Sequence, residues 1–376
     1  MHQAFDEQPE SVTAALTAQL HSAIAAGGGW LPFDAFMQMA LYAPGLGYYS
    51  HARRKIGRMP ARGDASEGSD FVTAPELSAL FGRTLARQIA QALDHYGCDT
   101  VFEFGAGNGT LARDVLDTLG EQVRRYCIVD VSHTLRARQA ERLQAHAGKI
   151  EWLSELPDCL EGVLLGNEVL DAMPVKLLAF QDGQWHERGV ALDAQQQLVW
   201  HDRPTALRPP VDLPLAPQQG YVTEIHPWAE AFIRTTAERL RRGAALWIDY
   251  GFGEREYYHP QRNMGTLVAH HQHRVDDDVL TQIGEKDITS HVNFTGIAVA
   301  AQEAGLEVLG YTSQARFLIN CGIQPLLDAA TLAQRAMAAR LLHEHEMGEL
   351  FKVMMLGTGP FWEPLGFSAG DRTHTL

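Results

Sequence analysis

The sequence predicts an α/β protein built on a parallel sheet, and three observations carry that prediction. From about residue 96 onward, short apolar runs alternate with helical stretches, the pattern of strand, crossover helix and next strand. One run, Val101–Phe104, ends in Gly105-Ala106-Gly107-Asn108-Gly109 followed by a helix start, as at the ligand-binding first turn of an open sheet. The chain also has the material: 376 residues, 45% hydrophobic and 20% charged, suit one enlarged domain or a core with an appended one.

Taken in order, residues 11–26 read as a helix closed by Gly27-Gly28-Gly29, and residues 32–41 (PFDAFMQMAL) as a short amphipathic helix with Pro32 near its start. Turn signals fill Ala43 to Gly47, and residues 51–69, rich in Gly, Ser, Arg and Lys, read as a mobile loop. Pro75-Glu76 opens a helix through about residue 95. Strands are expected at 100–104, 126–130, 150–153, 162–166 and 244–249, with helices between several of them. Residues 175–202 alternate in the manner of β-hairpins, with Asp182-Gly183 as a turn, and a Pro-rich stretch follows at 204–217. Segments 306–312 and 351–356 read as two late strands, separated by a helical segment at 325–347.

The formal net charge of −15 argues against a broad nucleic-acid footprint, which needs clustered Lys and Arg. Cys98, Cys127, Cys159 and Cys321 are scattered without a CxxC pair, as expected of a reduced, cytoplasmic protein. The acidic start MHQAFDEQPE resembles neither a secretory signal nor an Arg-rich transit peptide, and no apolar run reaches membrane-spanning length. No nucleic acid and no membrane insertion are therefore expected.

The glycine loop carries the first chemistry. Glycines let the backbone turn sharply and approach a ligand without a Cβ in the way. The pattern is E-x-G-x-G-x-G, with Thr110 where a dinucleotide fingerprint would put its third Gly, and no phosphate-binding Lys follows. Glu103 beside the loop would repel a pyrophosphate and suits the ammonium of a methionine moiety. Asp130, 25 residues after Gly105 at the end of the next strand, is placed to hold two ribose hydroxyls. An acid there serves NAD equally well, and a plain tight turn is the remaining reading.

Strand 162–166 leads into Asn167-Glu168-Val169-Leu170-Asp171. In an open α/β sheet this turn faces the ligand. A carboxylate here can orient a guanidinium by paired hydrogen bonds and draw its charge away from the reacting nitrogen. Glu168 and Asp171 could instead cap the following helix. Glu224 and His226 offer the same choice between the cleft and a helix cap near Pro227. His259, His270, His271 and His273 raise a metal, but their spacing fits no ligand pattern and none is expected.

With these residues in hand, the chain resembles the MidA family of class I methyltransferases, bacterial proteins related to the mitochondrial complex I assembly factor that methylates a protein arginine. The resemblance covers roughly residues 28–357 and rests on FMQMALYAPGLGYYS (36–50), DFVTAPELSALFG (70–82), EFGAGNGTLARDVL (103–116), LLGNEVLDAMPV (164–175), WIDYGF (247–252), GTLVAHHQHR (265–274) and DITSHVNFTGIA (287–298). It departs from the family at His270-His271, where aromatic residues are usual, and at Asn293, where Asp is commoner. Those departures concern the acceptor end of the pocket.

The resemblance implies a Rossmann-like seven-stranded sheet with helices on both faces, an N-terminal helical lid, and insertions after the fourth and fifth strands. The chain would then divide into an N-terminal helical and lid segment (1–95), a cofactor-binding core with a β-rich insertion near 175–220 (96–255), and a C-terminal part with an acceptor-pocket insertion (256–376). It implies S-adenosylmethionine as cofactor, held by Thr73, Pro75 and Glu76 of the lid and by Glu103, Gly105, Ala106, Gly107, Asp130, Val131, Asn167 and Glu168. Glu168, Asp171 and His291 would serve the reacting centre. The expected partner is a protein with an accessible arginine, a complex I subunit being one candidate, and a dimer is compatible. A small-molecule N- or O-methyltransferase and a cofactor-binding assembly factor remain open alternatives.

Overall fold

The computed structural model describes residues 9–50, 73–130, 133–211, 218–271 and 274–376. Both the loop expected at 51–69 and Val131 lie outside the described residues. The chain forms two compact units, neither continuous in sequence: one of Met1–Arg53, Ala172–Trp228 and Tyr258–Ser290, the other of Arg54–Asp171, Ala229–Tyr257 and His291–Leu376. The divisions expected at 95 and 255 run along the chain, whereas these units collect segments that are distant in sequence.

The larger unit is a mixed sheet. Its strands are β1 (Thr100–Phe104), β2 (Arg125–Val129), β3 (Ile150–Leu153), β4 (Leu160–Asn167), β5 (Leu240–Phe252), β6 (Glu307–Ser313) and β7 (Phe351–Gly357). They run in the order β6-β7-β5-β4-β1-β2-β3, and an eighth, two-residue strand (Val292–Asn293) pairs with the end of β5. The pairings among β1 to β5 are parallel, and only those of β7 with β5 and β6 are antiparallel. Strand β1 is buried along its whole length because neighbours flank it on both sides, which is why it reads as a continuous apolar run around Glu103. From β1 the chain winds outward to β3, then returns to β4 on the other side. The order therefore reverses between β1 and β4, where ligands of open α/β sheets bind. Helices Ala79–Tyr96 and Thr110–Leu119 bury one apolar stripe each in this unit's core.

The smaller unit is antiparallel. Strands at 176–181, 184–192, 198–204 and 222–225 and the short Leu31–Pro32 form one sheet, and strands at 268–271, 274–276 and 287–289 form another. The 181–184 connection is a two-residue turn with Asp182 at φ 49 and Gly183 at φ 76, the left-handed pair that matches strand twist. Helices Pro9–Ala26 and Phe33–Tyr42 supply Leu16, Leu20, Ile24, Phe36 and Met37 to its core.

Two expected helices are broken. The one opening at Pro75 splits into Ala74–Leu77 and Ala79–Tyr96 at Ser78, whose extended backbone lets its side chain accept from Leu80 N and cap the second piece. The segment expected over 325–347 becomes Ile323–Ala329, Leu332–Leu342 and a π-turn at Glu344–Gly348. The break falls where Thr331 and Gln334 form a capping box, a start signal inside what reads as one helix.

Candidate active site

The glycine loop, Glu103, Asp130 and the turn after β4 lie in the larger unit, at the carboxyl edge of β1, β2, β4 and β5. Past β1 the chain turns through Gly105, Gly107 and Gly109 at φ 63, 52 and 78. A Cβ on Gly105 would stand 3.2 Å from Val169 Cγ2, so this glycine clears a cradle as well as making the turn. Gly109 then starts the helix at Thr110, aiming a helix N-terminus at the loop.

Beneath the loop lies Glu103, 3% exposed, accepting at 2.8 Å from the Tyr126 hydroxyl. Burial pushes its carboxyl up to about 8, against the Tyr126 hydrogen bond and with added repulsion from Asp130. A cation placed beside Glu103 would restore its charge. That is a fit for an ammonium and a misfit for a phosphate.

Gln139, which the sequence reading passed over, connects this end. Its side-chain NH2 donates to Gly107 O at 2.9 Å and to Asp130 Oδ2 at 3.0 Å, while Trp152 Nε1 donates to its Oε1 at 2.9 Å. An indole N–H only donates, so it fixes which way the amide faces. The buried Gln139 therefore ties the glycine loop to the acid at the end of β2. Nothing local in RARQAERL marked it, because its partners come from three other segments.

Thr73 precedes the short helix that holds Pro75 and Glu76. Glu76 accepts from the Thr110 hydroxyl and lies 3.7 Å from Arg142, which also bonds Thr110. The segment is thereby fastened to the head of the helix that follows the glycine loop.

At the end of β4, Asn167 Nδ2 donates to Glu168 Oε1 at 2.9 Å. Asn167 Oδ1 is buried without a hydrogen-bond partner. Glu168 stands at φ 55, uncommon for a residue with a side chain. Asp171 accepts from the Tyr250 hydroxyl, and His291 packs edge-on to Tyr250 at 5.4 Å and stacks on Phe252 at 5.1 Å. Buried Asp249 joins the group, its carboxyl raised by burial and then by Asp171 and Glu168. Three carboxylates thus meet where a reacting group would arrive, a setting that favours a cation.

Glu103, Gly105, Ala106, Gly107 and Asp130 therefore form one end of this edge, and Asn167, Glu168, Asp171 and His291 the other. Glu224 and His226 belong to the smaller unit. Glu224 accepts from Thr266 N at 2.7 Å and Leu267 N at 3.0 Å, so it holds the turn after Gly265. His270 and His271 lie on the 268–271 strand, with His271 Nδ1 3.0 Å from Glu285 O.

The fold and this site define a class I S-adenosylmethionine-dependent methyltransferase. A family model described as "Putative S-adenosyl-L-methionine-dependent methyltransferase" matches residues 84–312. A solved protein of Burkholderia thailandensis, with S-adenosyl-homocysteine bound, is 47% identical with a TM-score of 0.92, each chain covered over 100%. The mitochondrial protein arginine methyltransferase NDUFAF7 homolog of Drosophila melanogaster is 30% identical over 83% of this chain and 77% of its own. Human NDUFAF7 is 28% identical over 85% and 78%. The chain belongs to the MidA family of S-adenosylmethionine-dependent methyltransferases.

Proposed function

We propose that this protein methylates an arginine side chain of a protein, with a respiratory complex I subunit as the first acceptor to test. The observation that carries the reading is Glu168, held in a left-handed backbone at the end of β4 beside Asp171 and Asp249. A guanidinium is the planar, permanently charged group that such carboxylates recognise. The names of the Drosophila and human relatives support the same acceptor.

On this reading Gly105, Ala106 and Gly107 would hold the cofactor, Glu103 would serve its ammonium and Asp130 its ribose hydroxyls. Thr73, Pro75 and Glu76 serve as a lid, and Asn167 lies at the reacting end. When bound, S-adenosylmethionine supplies a sulfonium methyl, so an incoming nitrogen lone pair forms the new N–C bond while the S–C pair leaves as a neutral thioether. Glu168 and Asp171 hold the guanidinium by its other nitrogens and keep its charge away from the attacking one. Glu168 then accepts the proton that the methylated nitrogen gives up. His291, through Tyr250, keeps the Asp171 carboxylate in place. Much of the acceleration comes from alignment of the two reactants.

The test is transfer of tritiated methyl from S-adenosylmethionine into lysate proteins of a strain lacking this protein, comparing wild type with Glu168→Gln. We expect label on arginine and a loss of about 10² to 10³ in the variant, the range for removing one group that acts in the transition state. S-adenosylhomocysteine affinity, to which Glu168 is also expected to contribute, should change far less, by no more than about threefold. Label confined to small molecules would favour the small-molecule alternative. Equal labelling by both forms would remove Glu168 from the chemistry. Restored complex I assembly by a variant that binds no cofactor would favour the assembly-factor alternative.

A further inference from the structure

Asp249 belongs to the WIDYGF segment, which the transfer just described leaves without a task. It is 1% exposed on β5. Its Oδ2 accepts from three successive backbone N–H groups, Val169 at 3.1 Å, Leu170 at 2.9 Å and Asp171 at 3.2 Å. Its Oδ1 accepts from Tyr250 N at 3.0 Å. Successive N–H groups converging on one oxygen form an anion nest, here filled by a side chain from another strand.

The nest begins at the residue after Glu168. Glu168 N donates to Ile248 O at 2.9 Å, so two adjacent positions of β5 grip the chain at residue 168 and at residues 169–171. A side-chain-bearing residue keeps a left-handed backbone only where its surroundings over-determine it. This grip is such a surrounding. Fold stability alone gives no reason to bury a carboxylate beside Asp171 and Glu168, because their charges raise the energy of its own charged form. The arrangement makes sense when the conformation it fixes is needed.

We infer that Asp249 is the positioning residue of the methyl transfer: by holding the N–H groups of 169–171 it fixes Glu168 in the conformation that presents its carboxylate to the acceptor. Asp249 acts through Glu168, and the inference rests on the role given to Glu168 above. An amide at 249 keeps the volume but turns one of the two accepting oxygens into an NH2 that faces backbone donors.

The test is a double-mutant cycle of Asp249→Asn and Glu168→Gln, read by tritiated methyl transfer into lysate protein at saturating cofactor. Calorimetry with S-adenosylhomocysteine on every form monitors folding of the cofactor end. Asp249→Asn should lower the transfer rate about 30- to 100-fold, change cofactor affinity less than threefold, and slow the Glu168→Gln form less than threefold. A crystal structure of Asp249→Asn should show residue 168 out of the left-handed region. Full multiplication of the two rate losses, or an unchanged φ at residue 168, overturns the inference. If Asp249→Asn fails to fold, Asp249→Glu with the same two readouts decides in its place. A wild-type rate for Asp249→Asn beside a slow Glu168→Gln overturns this inference alone. A wild-type rate for Glu168→Gln overturns the reading beneath it.

Discussion

Strands β1 and β4 both deliver the chain into a left-handed turn, through Gly105 at φ 63 and Glu168 at φ 55, yet they reach it by different means. At β1 the turn is local. Glycine adopts the conformation without a Cβ penalty, and two more glycines continue it. At β4 the residue carries a side chain, which on the function proposed above serves the transfer, so a glycine would not do there. The conformation is imposed instead from 80 residues away, by the Asp249 carboxylate on Val169, Leu170 and Asp171. A turn that only has to make room for a ligand can be written in glycines. One that must also present a functional group needs outside support.

The difference is broken most severely at Gly105. A Gly105→Val change adds a branched side chain at φ 63 and places its Cβ 3.2 Å from Val169 Cγ2. Affinity for S-adenosylhomocysteine should fall more than about a hundredfold, since strain and lost space together exceed ~3 kcal/mol. Glu168→Gln should weaken that affinity by no more than about threefold, so calorimetry on the two variants separates the ends. Comparable losses in both would show that the edge works as a single site.

Gln139→Met is a smaller change at the same end. It keeps the length of the side chain and removes its hydrogen bonds to Gly107 O and Asp130 Oδ2. At about 0.5–1.5 kcal/mol per bond, cofactor affinity should weaken roughly tenfold. The transfer rate at saturating cofactor should stay within about twofold, because no atom of Gln139 reaches the acceptor end. A rate loss that saturating cofactor cannot restore would mean that the network spans both ends.

This contrast also explains what the sequence discloses. The strands, the glycine loop and the turn at Asp182-Gly183 were legible because their signals are local: apolar runs, positive-φ residues and two-residue spacing. Glu103 and Asp130 were legible from their places at strand ends. Gln139 and Asp249 were not. Gln139 has partners on three other segments, and Asp249 reads as one more residue of an apolar strand until β4 and β5 are paired. The breaks at Ser78 and Thr331 were missed because a cap inside a helix-forming stretch looks like one polar residue of the exposed face.

The finest separation of the two ends comes from pH. Glu103 ionises at about 8 in the folded protein, against an ordinary value near 4.5, so between those limits the native state holds a proton that the unfolded chain has released. Stability then falls as pH rises through that window and levels off above it, with a slope of up to about 1.4 kcal/mol per unit for one proton. Asp249 is displaced in the same direction, so both ends contribute to the same downward slope. They differ in what relieves it. On the proposed reading a bound ammonium would stabilise the Glu103 carboxylate and leave Asp249 unaffected. Melting temperature followed from pH 5 to about 6.5, a unit or more below the range where an α-amino group loses its charge, should fall less steeply with S-adenosylhomocysteine present. Glu103→Gln should flatten the ligand-free curve by a similar amount and leave the remainder, which Asp249→Asn should reduce. If the ligand raises the whole curve in parallel, Glu103 does not meet the ammonium, and the charge logic of the glycine end has to be redrawn.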